Sequence, residues 1–372
     1  MKFWMLFFVS GFSFSSFCQD SLNSLFQTKC DSCIEFLFAG DIMQHGPQIR
    51  SAWDSTSNQY QYDSCFAHVS SYFKSVDFAI ANLEVTLAGK PYTGYPQFSA
   101  PDQIANALQN AGIDLLVTAN NHSCDRGLKG IRRTVHVLDS LHFLHTGSYY
   151  DSAHRDSVFP IVLNANGLRI AILNYTYGTN GIAIPHPSVV DIIDTMAIVD
   201  DFYKAKSKGA EEVIVFFHWG LEYERTANMT QKKLAAFCHK LGIRVVIGSH
   251  PHVIQPMEAD LDSLGNIQRV RVYSLGNFIS NQRKQFTDGG AMFVFKLCKG
   301  QNEIFIRDPA YVLTWVHLTT KKNRNVYQVL PIKDFENKDS IFSAEEKLQF
   351  DRFVNDSRDL LETNNKNIPE KN

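Results

Sequence analysis

The sequence of 372 residues carries almost no net charge, because 36 lysines and arginines face 38 aspartates and glutamates, which leaves −2. Nucleic acids and anionic membrane surfaces attract strongly basic proteins, so the composition gives no electrostatic support for either partner. The sequence also has no repeat and no low-complexity tract. With 44% hydrophobic residues, the chain has the composition of a globular protein with one large domain or two small ones.

Beyond its first residues, the sequence has no apolar run of transmembrane length, roughly 18 residues. The N-terminal stretch MKFWMLFFVSGFSFSSFCQD is different, since Lys2 precedes a strongly apolar core that small polar residues follow. This pattern predicts a secretory signal peptide at residues 1–18. Three fates stay open: cleavage after Cys18 with Ser16 at the minus-three position, lipidation of Cys18 behind the bulky Phe17, or an uncleaved anchor. Each predicts a protein exported from the cytoplasm.

Cysteine is sparse, with seven residues in the whole chain. Cys30 and Cys33 form a CDSC motif, but no βαβ unit surrounds it, so the case for a thioredoxin-like redox site is weak. A local disulfide between them, or two exposed thiols, is the simpler interpretation. Cys238 and Cys298 lie in apolar segments and are expected in the core.

Short apolar runs rich in Val, Ile, Phe or Leu alternate with helical patterns along most of the chain. Near-continuous apolar runs are typical of strands covered on both faces. The runs are IEFLFAGD, VDFAIANLE, IDLLVTANNH, EVIVFFHWG, IRVVIGSHPH and VRVYSLGN. Helical periods that stop at glycine, such as PDQIANALQNAG and MTQKKLAAFCHKLG, separate several of them. The segment PIVLNANGLRIAILNY predicts a hairpin at its Asn-Gly, so an α/β fold with a mixed sheet is expected.

The domain organisation follows from these patterns. Residues 19–33 are expected to form a short tether, and residues 34–333 a single domain. Residues 334–372 are expected to form a C-terminal helix and a polar tail. Ser343 and Glu346 form a capping box at the start of that helix. The final NNKNIPEKN is polar and is expected to fray.

Polar side chains stand where the apolar runs end, and ligands bind beyond the carboxyl ends of strands in open α/β sheets. A lone aspartate there is usually a turn residue, and a lone histidine is usually a hydrogen-bonded one. Recurrence at one sheet edge indicates a site instead, because unpaired buried charges would be costly. Imidazole nitrogens combined with carboxylate oxygens suit Zn, Mn, Fe or Ni better than Ca or Mg. The residues are Asp41, Asn82, Glu84, Asn121, His122, His218, His250, His252 and Asn277.

The stretch VVIGSHPHVIQP places two of these histidines one residue apart, at 250 and 252. Pro251 disfavours helical backbone at His250 and fixes its own φ near an extended value. Residues two apart in an extended segment project to the same face. The segment is therefore expected to be extended and to aim both imidazoles into one space.

The motifs FAGDIMQH, ANLEVTLAG, TANNHSCDRG, FFHWGLEY, GSHPHVIQP and YSLGNFI, taken in this order, resemble those of the CapA/PgsA family. This is a family of bacterial capsule and poly-γ-glutamate synthesis proteins, and the resemblance covers about residues 34 to 283. The family is similar in fold to calcineurin-like metallophosphoesterases. The resemblance therefore implies a four-layer α/β sandwich of the metallo-dependent phosphatase type, with mixed sheets and a dinuclear metal site.

The resemblance also implies roles for individual residues. Glu84 stands in place of the aspartate that bridges both metals, and His122 resembles the proton donor near the leaving group. The implied cofactors are one or two divalent ions of Mn, Zn or Fe. The implied metal ligands are Asp41, Glu84, Asn121, His218, His250 and His252.

Two positions depart from the phosphoesterase pattern. Met43 stands where those enzymes carry a histidine ligand, and a thioether is a poor ligand for a hard, water-activating metal. His45 is the candidate replacement, with a surface histidine as the alternative. Glu84 is one methylene longer than the usual aspartate, so one metal position is expected to be weak or empty. The candidate substrate pocket consists of Asn82, Trp219, Glu222, Tyr223 and Asn277, with core packing an equal alternative for the aromatic residues.

Three functions follow as hypotheses from this sequence. The first is an exported protein of capsule or poly-γ-glutamate synthesis or export, which binds the surface polymer or membrane-bound capsule machinery. The second is an extracytoplasmic metal-dependent hydrolase of a small phosphoester, amide or lactone, unrelated to capsule. The third is a catalytically inactive module that binds polymer. None of the three involves nucleic acid.

Overall fold

The computed structural model describes residues 32–301, 303–321 and 324–371. The predicted signal peptide at residues 1–18, with Cys18, and the cysteine at position 30 lie outside these ranges. The first strand begins at Ser32, so the last two residues of the predicted tether at 19–33 belong to the sheet. Among the described residues, no helix is both long enough and apolar enough to cross a membrane.

The strands and helices are numbered in chain order. The strands are β1 (Ser32–Ile42), β2 (Trp53–Asp54), β3 (Gln59–Tyr60), β4 (Phe78–Leu83), β5 (Leu115–Val117), β6 (Leu144–Thr146), β7 (Ser148–Tyr149), β8 (Ile161–Ala165), β9 (Leu168–Thr176), β10 (Val189–Val190), β11 (Glu212–His218), β12 (Val245–Ser249), β13 (Met257–Leu261), β14 (Ile267–Val272), β15 (Asn277–Ile279), β16 (Gly289–Lys299), β17 (Ile304–Lys321) and β18 (Arg324–Pro331). The helices are α1 (Gly46–Ala52), α2 (Asp63–Phe66), α3 (Ser70–Lys74), α4 (Gln103–Ala111), α5 (Gly127–Ser140), α6 (Ser152–Val158), α7 (Thr195–Ser207), α8 (Met229–Leu241), α9 (Ile332–Phe335) and α10 (Ala344–Asn364).

Most strands follow one hydrogen-bonded path in the order β6-β5-β4-β1-β16-β17-β14-β12-β11-β9-β8. Strands β1, β4, β5 and β6 run parallel, and so do β9, β11, β12 and β14. Strands β16 and β17 are antiparallel insertions, and a single bridge between Ile267 and Ile306 joins the two parallel parts. The sheet is therefore mixed, as the sequence predicted.

Alternation along the strands shows that the two parallel parts face each other. Phe38 of β1 and Phe216 of β11 belong to one buried cluster, and their ring centroids lie 6.3 Å apart. The neighbouring side chains point the opposite way, because successive strand residues alternate between faces. Leu37 packs with α4, and Val215 packs with α7 and α8. The layers are thus helices, sheet, sheet and helices, which confirms the predicted four-layer α/β sandwich.

Glycines end two of the predicted helices, and the predicted hairpin is present. Gly112 and Gly242 follow α4 and α8 with φ of 105° and 108°, a left-handed conformation that glycine adopts without strain. Asn166 and Gly167 join β8 to β9 with φ of 51° and 74°. Two positive φ angles are the requirement of the hairpin turn that an Asn-Gly pair favours.

The cysteine prediction is wrong in its partner. Cys33 forms a disulfide with Cys298, so it does not pair locally with its neighbour in the CDSC motif. The reason is the antiparallel register of β1 and β16, which places these two residues opposite each other. Cys65, Cys124 and Cys238 are free and buried, as a core position for Cys238 requires.

One face of the C-terminal helix packs against the central hydrophobic cluster. Its capping box is present, since the Ser343 side chain accepts from the Glu346 N–H and the Glu346 side chain accepts in return. Phe350 and Phe353 lie in the cluster between the sheets. The polar tail is not frayed: the Ala259 N–H donates to the Lys366 carbonyl at 2.7 Å, and Tyr311 pairs with residue 369. The tail is ordered because its backbone pairs with the strands and Ile368 is buried beside them.

Candidate metal centre

The side chains proposed as metal ligands converge where the carboxyl ends of the two parallel strand sets meet. Two triads of donor atoms each lie within 4.8 Å, and Glu84 belongs to both. The triads are Glu84, His250 and His252, and Asp41, Glu84 and His218. All of these residues are buried. Asn121 joins them, since its Oδ1 lies 2.8 Å from His218 Nε2.

Glu84 follows β4 and is the least satisfied group of the cluster. Neither of its carboxylate oxygens has a hydrogen-bond partner among the described residues, and its side chain is fully buried. The nearest imidazole nitrogens are His218 Nε2 at 3.5 Å and His252 Nε2 at 3.8 Å. Burial, with the charge of Asp41, raises the pKa of Glu84 well above its usual value. A cation between these oxygens would remove the cost of this arrangement.

Asp41 lies near the end of β1, where Gly40 allows another loop to approach. A Cβ at position 40 would lie 2.1 Å from the Gly276 carbonyl oxygen. Asp41 Oδ1 accepts from Asn82 Nδ2 at 2.8 Å, and Oδ2 lies 3.2 Å from His252 Nδ1. Burial alone would raise the pKa of Asp41, but the hydrogen bond and charge of His252 outweigh it and hold the pKa below its usual value. Asp41 is therefore an ionised oxygen donor.

The backbone of the His-Pro-His segment is not extended, so the expected geometry is wrong. His250 and His252 have φ of 101° and 58°, in the left-handed region that non-glycine residues rarely adopt. The imidazoles nevertheless converge: His250 Nδ1 lies 3.1 Å from His218 Nε2, and the His250 N–H donates to Asp41 Oδ2 at 3.3 Å. Strained backbone of this kind persists where surrounding contacts hold it, and it is concentrated at functional sites.

Two of the histidines, His218 and His250, are held neutral, as metal ligands must be. Burial and the neighbouring imidazoles lower the pKa of His218 well below its usual value. Burial, with the charge of His252, lowers the pKa of His250 to about 3. His218 is also held in place by Ser249, whose Oγ lies 3.2 Å from Nδ1. Nitrogen lone pairs are thus available beside two carboxylates.

The turn after β5 presents Asn121 and His122. Asn120 anchors this turn, because its Nδ2 donates to the Leu83 carbonyl at 2.8 Å and its Oδ1 accepts from the His122 N–H at 3.1 Å. His122 Nδ1 lies 2.8 Å from Asp125 Oδ2. A buried carboxylate at Nδ1 fixes the tautomer of the ring and leaves Nε2 for chemistry. This pair is suited to deliver or hold a proton.

His45, the suggested replacement for the ligand that is missing at Met43, is not among the clustered ligands. Met43 is buried in the apolar cluster beneath α1. His45 begins that helix, and its Nδ1 faces Gln48 Oε1 at 3.2 Å and accepts from the Asn281 N–H at 3.3 Å. Burial lowers the pKa of His45 to about 4. His45 lies outside both triads, because its Nδ1 is turned toward α1 and residue 281.

Three of the residues predicted for the pocket have other roles. Trp219 is buried against Phe217, with ring centroids 4.8 Å apart, and its Nε1–H donates to the Tyr273 carbonyl at 2.8 Å. The reason is alternation: the preceding residue faces the centre, so this one faces α8. Asn82 holds the ligands, since its Nδ2 reaches Asp41 and lies 3.2 Å from His218 Nδ1.

Asn277 supports the loop that follows it, because its Nδ2 donates to Gln282 Oε1 at 2.9 Å and to the Thr287 carbonyl at 2.8 Å. Glu222 and Tyr223 do remain near the opening of the centre. Tyr223 is 42% exposed, and its ring lies 6.3 Å from that of His252.

Sequence reasoning missed Tyr177 and Asp125. Tyr177 is 45% exposed and covers His250, with ring centroids 4.6 Å apart. Burial and the charge of Glu222 raise the pKa of Tyr177 to about 12. The sequence gives no signal for this residue, because it lies in a loop far from the motifs. Asp125 could have been predicted from the sequence, because it follows His122 by three residues and side chains at that spacing in a turn can contact each other.

The donor set fits divalent metal ions. Two carboxylates, three imidazoles and one amide oxygen surround one space, and Glu84 is shared between both triads. Within the described part of the chain, no lysine or arginine forms an ion pair with Asp41 or Glu84. The negative charge of the centre therefore has no fixed cation from the protein, and nitrogen with oxygen donors suits Zn, Mn or Fe.

Comparisons with known proteins agree with the motifs. The family described as bacterial capsule synthesis protein PGA_cap matches residues 35–282. The capsule biosynthesis protein CapA of Bacillus anthracis is 29% identical over 269 residues, which cover 69% of this chain and 62% of that protein. The PGA biosynthesis protein CapA of Bacillus subtilis (strain 168) is 28% identical over 286 residues, or 73% and 70% of the two chains. The chain thus spans less than two thirds of the first of these relatives.

Solved structures show distant similarity. A putative 5'-nucleotidase from Staphylococcus aureus has a TM-score of 0.48 at 13% identity, over 87% of this chain and 58% of that chain. The calcineurin-like phosphoesterase YfkN from Bacillus subtilis has a TM-score of 0.44 at 13% identity, over 89% and 98% of the two chains.

Proposed function

Since the chain belongs to the bacterial capsule synthesis protein PGA_cap family, we propose that it acts in the synthesis or export of a surface polymer such as poly-γ-glutamate. The names of its relatives, capsule biosynthesis protein and PGA biosynthesis protein, support this role. The matched range of residues 35–282 contains every residue of the metal centre. We therefore assign the proposed activity of the chain to that centre.

The centre holds one or two divalent ions in this proposal. Asp41, His218 and Glu84 would hold one, and Glu84, His250 and His252 would hold the other, with Asn121 beside the first. The observation that carries the proposal is the fully buried Glu84 carboxylate, whose two oxygens have no hydrogen-bond partner among the described residues. Bound there, a divalent ion supplies Lewis acidity and lowers the pKa of water.

The residues of the chain supply the other parts of a hydrolytic site. His122, oriented by Asp125 at 2.8 Å, holds a proton at the centre for a leaving group. Tyr177 and Tyr223 flank the opening and give flat, amphipathic surfaces for a substrate. Substrates that fit this chemistry are the amide links of a polymer or a phosphoester, because a divalent ion held by these residues would polarise acyl and phosphoryl oxygens alike.

We place this activity outside the cytoplasm. The apolar N-terminal segment after Lys2 has the pattern of an export signal. The disulfide between Cys33 and Cys298 supports the same location, because disulfides persist mainly in oxidising compartments. Fractionation of cells that produce the full chain would test the location: protein found wholly in the cytoplasm would contradict it.

Elemental analysis of the purified protein tests the centre. We expect one or two equivalents of Mn, Zn or Fe in the native chain and loss of metal in Asp41→Asn. The matched control Asp262→Asn, at a turn outside the centre, should keep its metal. A native chain that binds none of these three metals would contradict the proposal and favour a module that only binds polymer.

A metal-dependent hydrolase unrelated to capsule is the second candidate, and the His122–Asp125 pair favours it. Two measurements separate the candidates. Gene deletion should abolish surface polymer if the first holds. Turnover of amide or phosphodiester substrates that is lost in His122→Asn, with normal polymer in the deletion strain, would favour the second.

A further inference from the structure

His45 lies beside the metal centre, although it is not one of the clustered ligands. Its ring packs edge-to-face against Phe98, with the ring centroids 5.3 Å apart. Phe98 packs edge-to-face against His122 in turn, with centroids 4.6 Å apart. The Phe98 N–H also donates to Asp125 Oδ2 at 2.6 Å, which anchors Phe98 to the His122–Asp125 pair. His45 and His122 therefore flank one phenyl ring, on the side of the centre where a proton is held for the leaving group.

The Nδ1 atom of His45 is occupied as a hydrogen-bond acceptor. The Asn281 N–H donates to it at 3.3 Å. His45 and Gln48 also form a capping box, in which the first side chain accepts from the backbone N–H of the second residue. Gln48 Oε1 lies 3.2 Å from Nδ1, but it already accepts from the His45 N–H at 2.8 Å. A ring nitrogen that accepts from N–H groups carries no proton, so the proton of the neutral ring is on Nε2.

The Nε2 atom is the free edge of the His45 ring. No described residue accepts a hydrogen bond from it, and the side chain is only partly buried, so a bound molecule can reach this N–H donor. Burial lowers the pKa of His45 to about 4, and the charges of His252 and His122 act in the same direction. The ring is therefore neutral at pH 7, and it lies close enough to both histidines of the centre for their charges to act on it.

We propose that His45 is a substrate-binding residue, which donates a hydrogen bond from Nε2 to an acceptor oxygen of a substrate at the metal centre. Its position beside Phe98 and His122 places this donor on the leaving-group side. A donor without charge suits this place, because a lysine or arginine would repel a nearby metal cation. This role deepens the proposed function and rests on it, since the substrate is the one that the centre would hydrolyse.

Two other roles for His45 predict different results of substitution. A metal ligand would present a bare nitrogen to the cation, and its loss would lower the metal content. A residue that only caps α1 would need no more than an acceptor in the place of Nδ1. A substrate donor needs an N–H in the place of Nε2. Side chains that replace one ring nitrogen at a time therefore separate the three roles.

Two substitutions replace one edge of the ring each. In His45→Asn, the amide oxygen takes the place of Nδ1 and caps α1, but no group reaches the place of Nε2. In His45→Gln, the longer amide brings its NH₂ near the place of Nε2. Inorganic phosphate, a tetrahedral oxyanion, is the probe, and calorimetric titration of the metal-loaded full chain measures its binding. We expect phosphate binding to be about tenfold weaker in His45→Asn and within about threefold of native in His45→Gln.

Elemental analysis and the melting temperature are the controls for each titration. Both variants should keep the native metal content, and His45→Asn should keep the native melting temperature because its cap remains. Loss of metal from both variants would show that His45 is a ligand, contrary to this role. Native phosphate binding in His45→Asn would show that the residue only caps α1. A native chain without metal would contradict the proposed function, whereas normal metal with equal phosphate binding in all three chains would contradict the role of His45 alone.

The tautomer of His45 provides a test that needs no substitution. Long-range ¹⁵N–¹H spectra of the native chain at pH 7 should show a bare Nδ1 and a protonated Nε2. Addition of phosphate to the metal-loaded chain should shift the Nε2 resonance. A proton on Nδ1, or an Nε2 resonance that does not respond to phosphate, would overturn the proposal even if neither variant folds.

Discussion

Two buried polar clusters in this molecule differ in one respect, the origin of their positive charge. In the arginine cluster, Arg155 donates to Asp191 at 2.7 Å and to Asp201 at 2.6 Å. Tyr175 donates its hydroxyl to Asp201 at 2.8 Å, and Tyr149 contacts Asp191. The carboxylates outweigh burial and raise the pKa of Arg155. The chain thus neutralises these acids with its own guanidinium.

The metal centre has the same number of carboxylates but no fixed cation. Asp41 is satisfied by Asn82 and His252, whereas Glu84 has no hydrogen bond from any described residue. Desolvation of an unpaired carboxylate is expensive, so folding keeps such a group only where something else offsets its charge. The comparison supports the proposal that an external cation completes the centre. The arginine cluster needs none.

Removal of the internal cation should have the largest effect. Arg155→Met leaves two buried carboxylates uncompensated, and we expect a loss of about 3–5 kcal/mol in the free energy of unfolding. Urea denaturation would measure it. Metal content should stay normal, since the cluster is separate from the centre. A loss of metal in a variant that still folds would show that the two clusters are not independent.

In the absence of metal, removal of the Glu84 carboxyl group should raise the stability of the protein, whereas removal of Arg155 should lower it. Glu84→Gln removes the unpaired buried carboxyl group, whose ionisation this site disfavours, and we expect the metal-free variant to be more stable than the metal-free native chain by about 1–4 kcal/mol. With metal present, the native chain should be the more stable of the two. Asp262→Asn, at a turn outside the centre, is the control. Equal stability of native and variant in both conditions would remove the contrast between the clusters.

Substitution of a residue that positions the metal ligands should have a smaller effect than substitution of a ligand itself. Asn82→Ala removes the bond to Asp41 and the contact with His218, and we expect metal affinity to fall by about 10–100-fold. Competition with a chelator would measure it. Asn228→Ala, which removes a helix cap, should cost stability but leave metal affinity unchanged. Unchanged metal affinity in Asn82→Ala would show that Asn82 contributes to packing and not to the position of the ligands.

The Glu346 side chain at the start of α10 is partly exposed to water, and its substitution should have the smallest effect of the four. Burial would raise the pKa of Glu346, but the Ser343 N–H and His317 outweigh it and lower the pKa to about 2. A lowered pKa means that this stabilisation is present above the unfolded value, about 4.5, and is lost as pH falls toward 2. Glu346→Gln should cost about 1 kcal/mol at pH 7. It should also flatten the decline of stability below pH 4.5; an unchanged acid profile would contradict this.

The sequence alone predicted the local features of the fold. The α4 and α8 helices end at Gly112 and Gly242, and a hairpin turns at Asn166, because such signals act over a few residues. Ordered motifs predicted the layers and the family. Donors at the ends of apolar runs, such as Asp41 and Glu84, were candidates because parallel strands bring their carboxyl ends together.

Tertiary structure decided everything that depends on which strands are neighbours. The register of β1 and β16 paired Cys33 with Cys298. His250, whose N–H donates to Asp41 Oδ2, has a left-handed backbone that its sequence alone disfavours. The lack of a hydrogen-bond partner for the buried Gln44 side chain among the described residues likewise follows from tertiary packing, which no sequence pattern records. Periodicity and turn chemistry are properties of adjacent residues, whereas unpaired buried charges and strained angles arise only when distant segments pack.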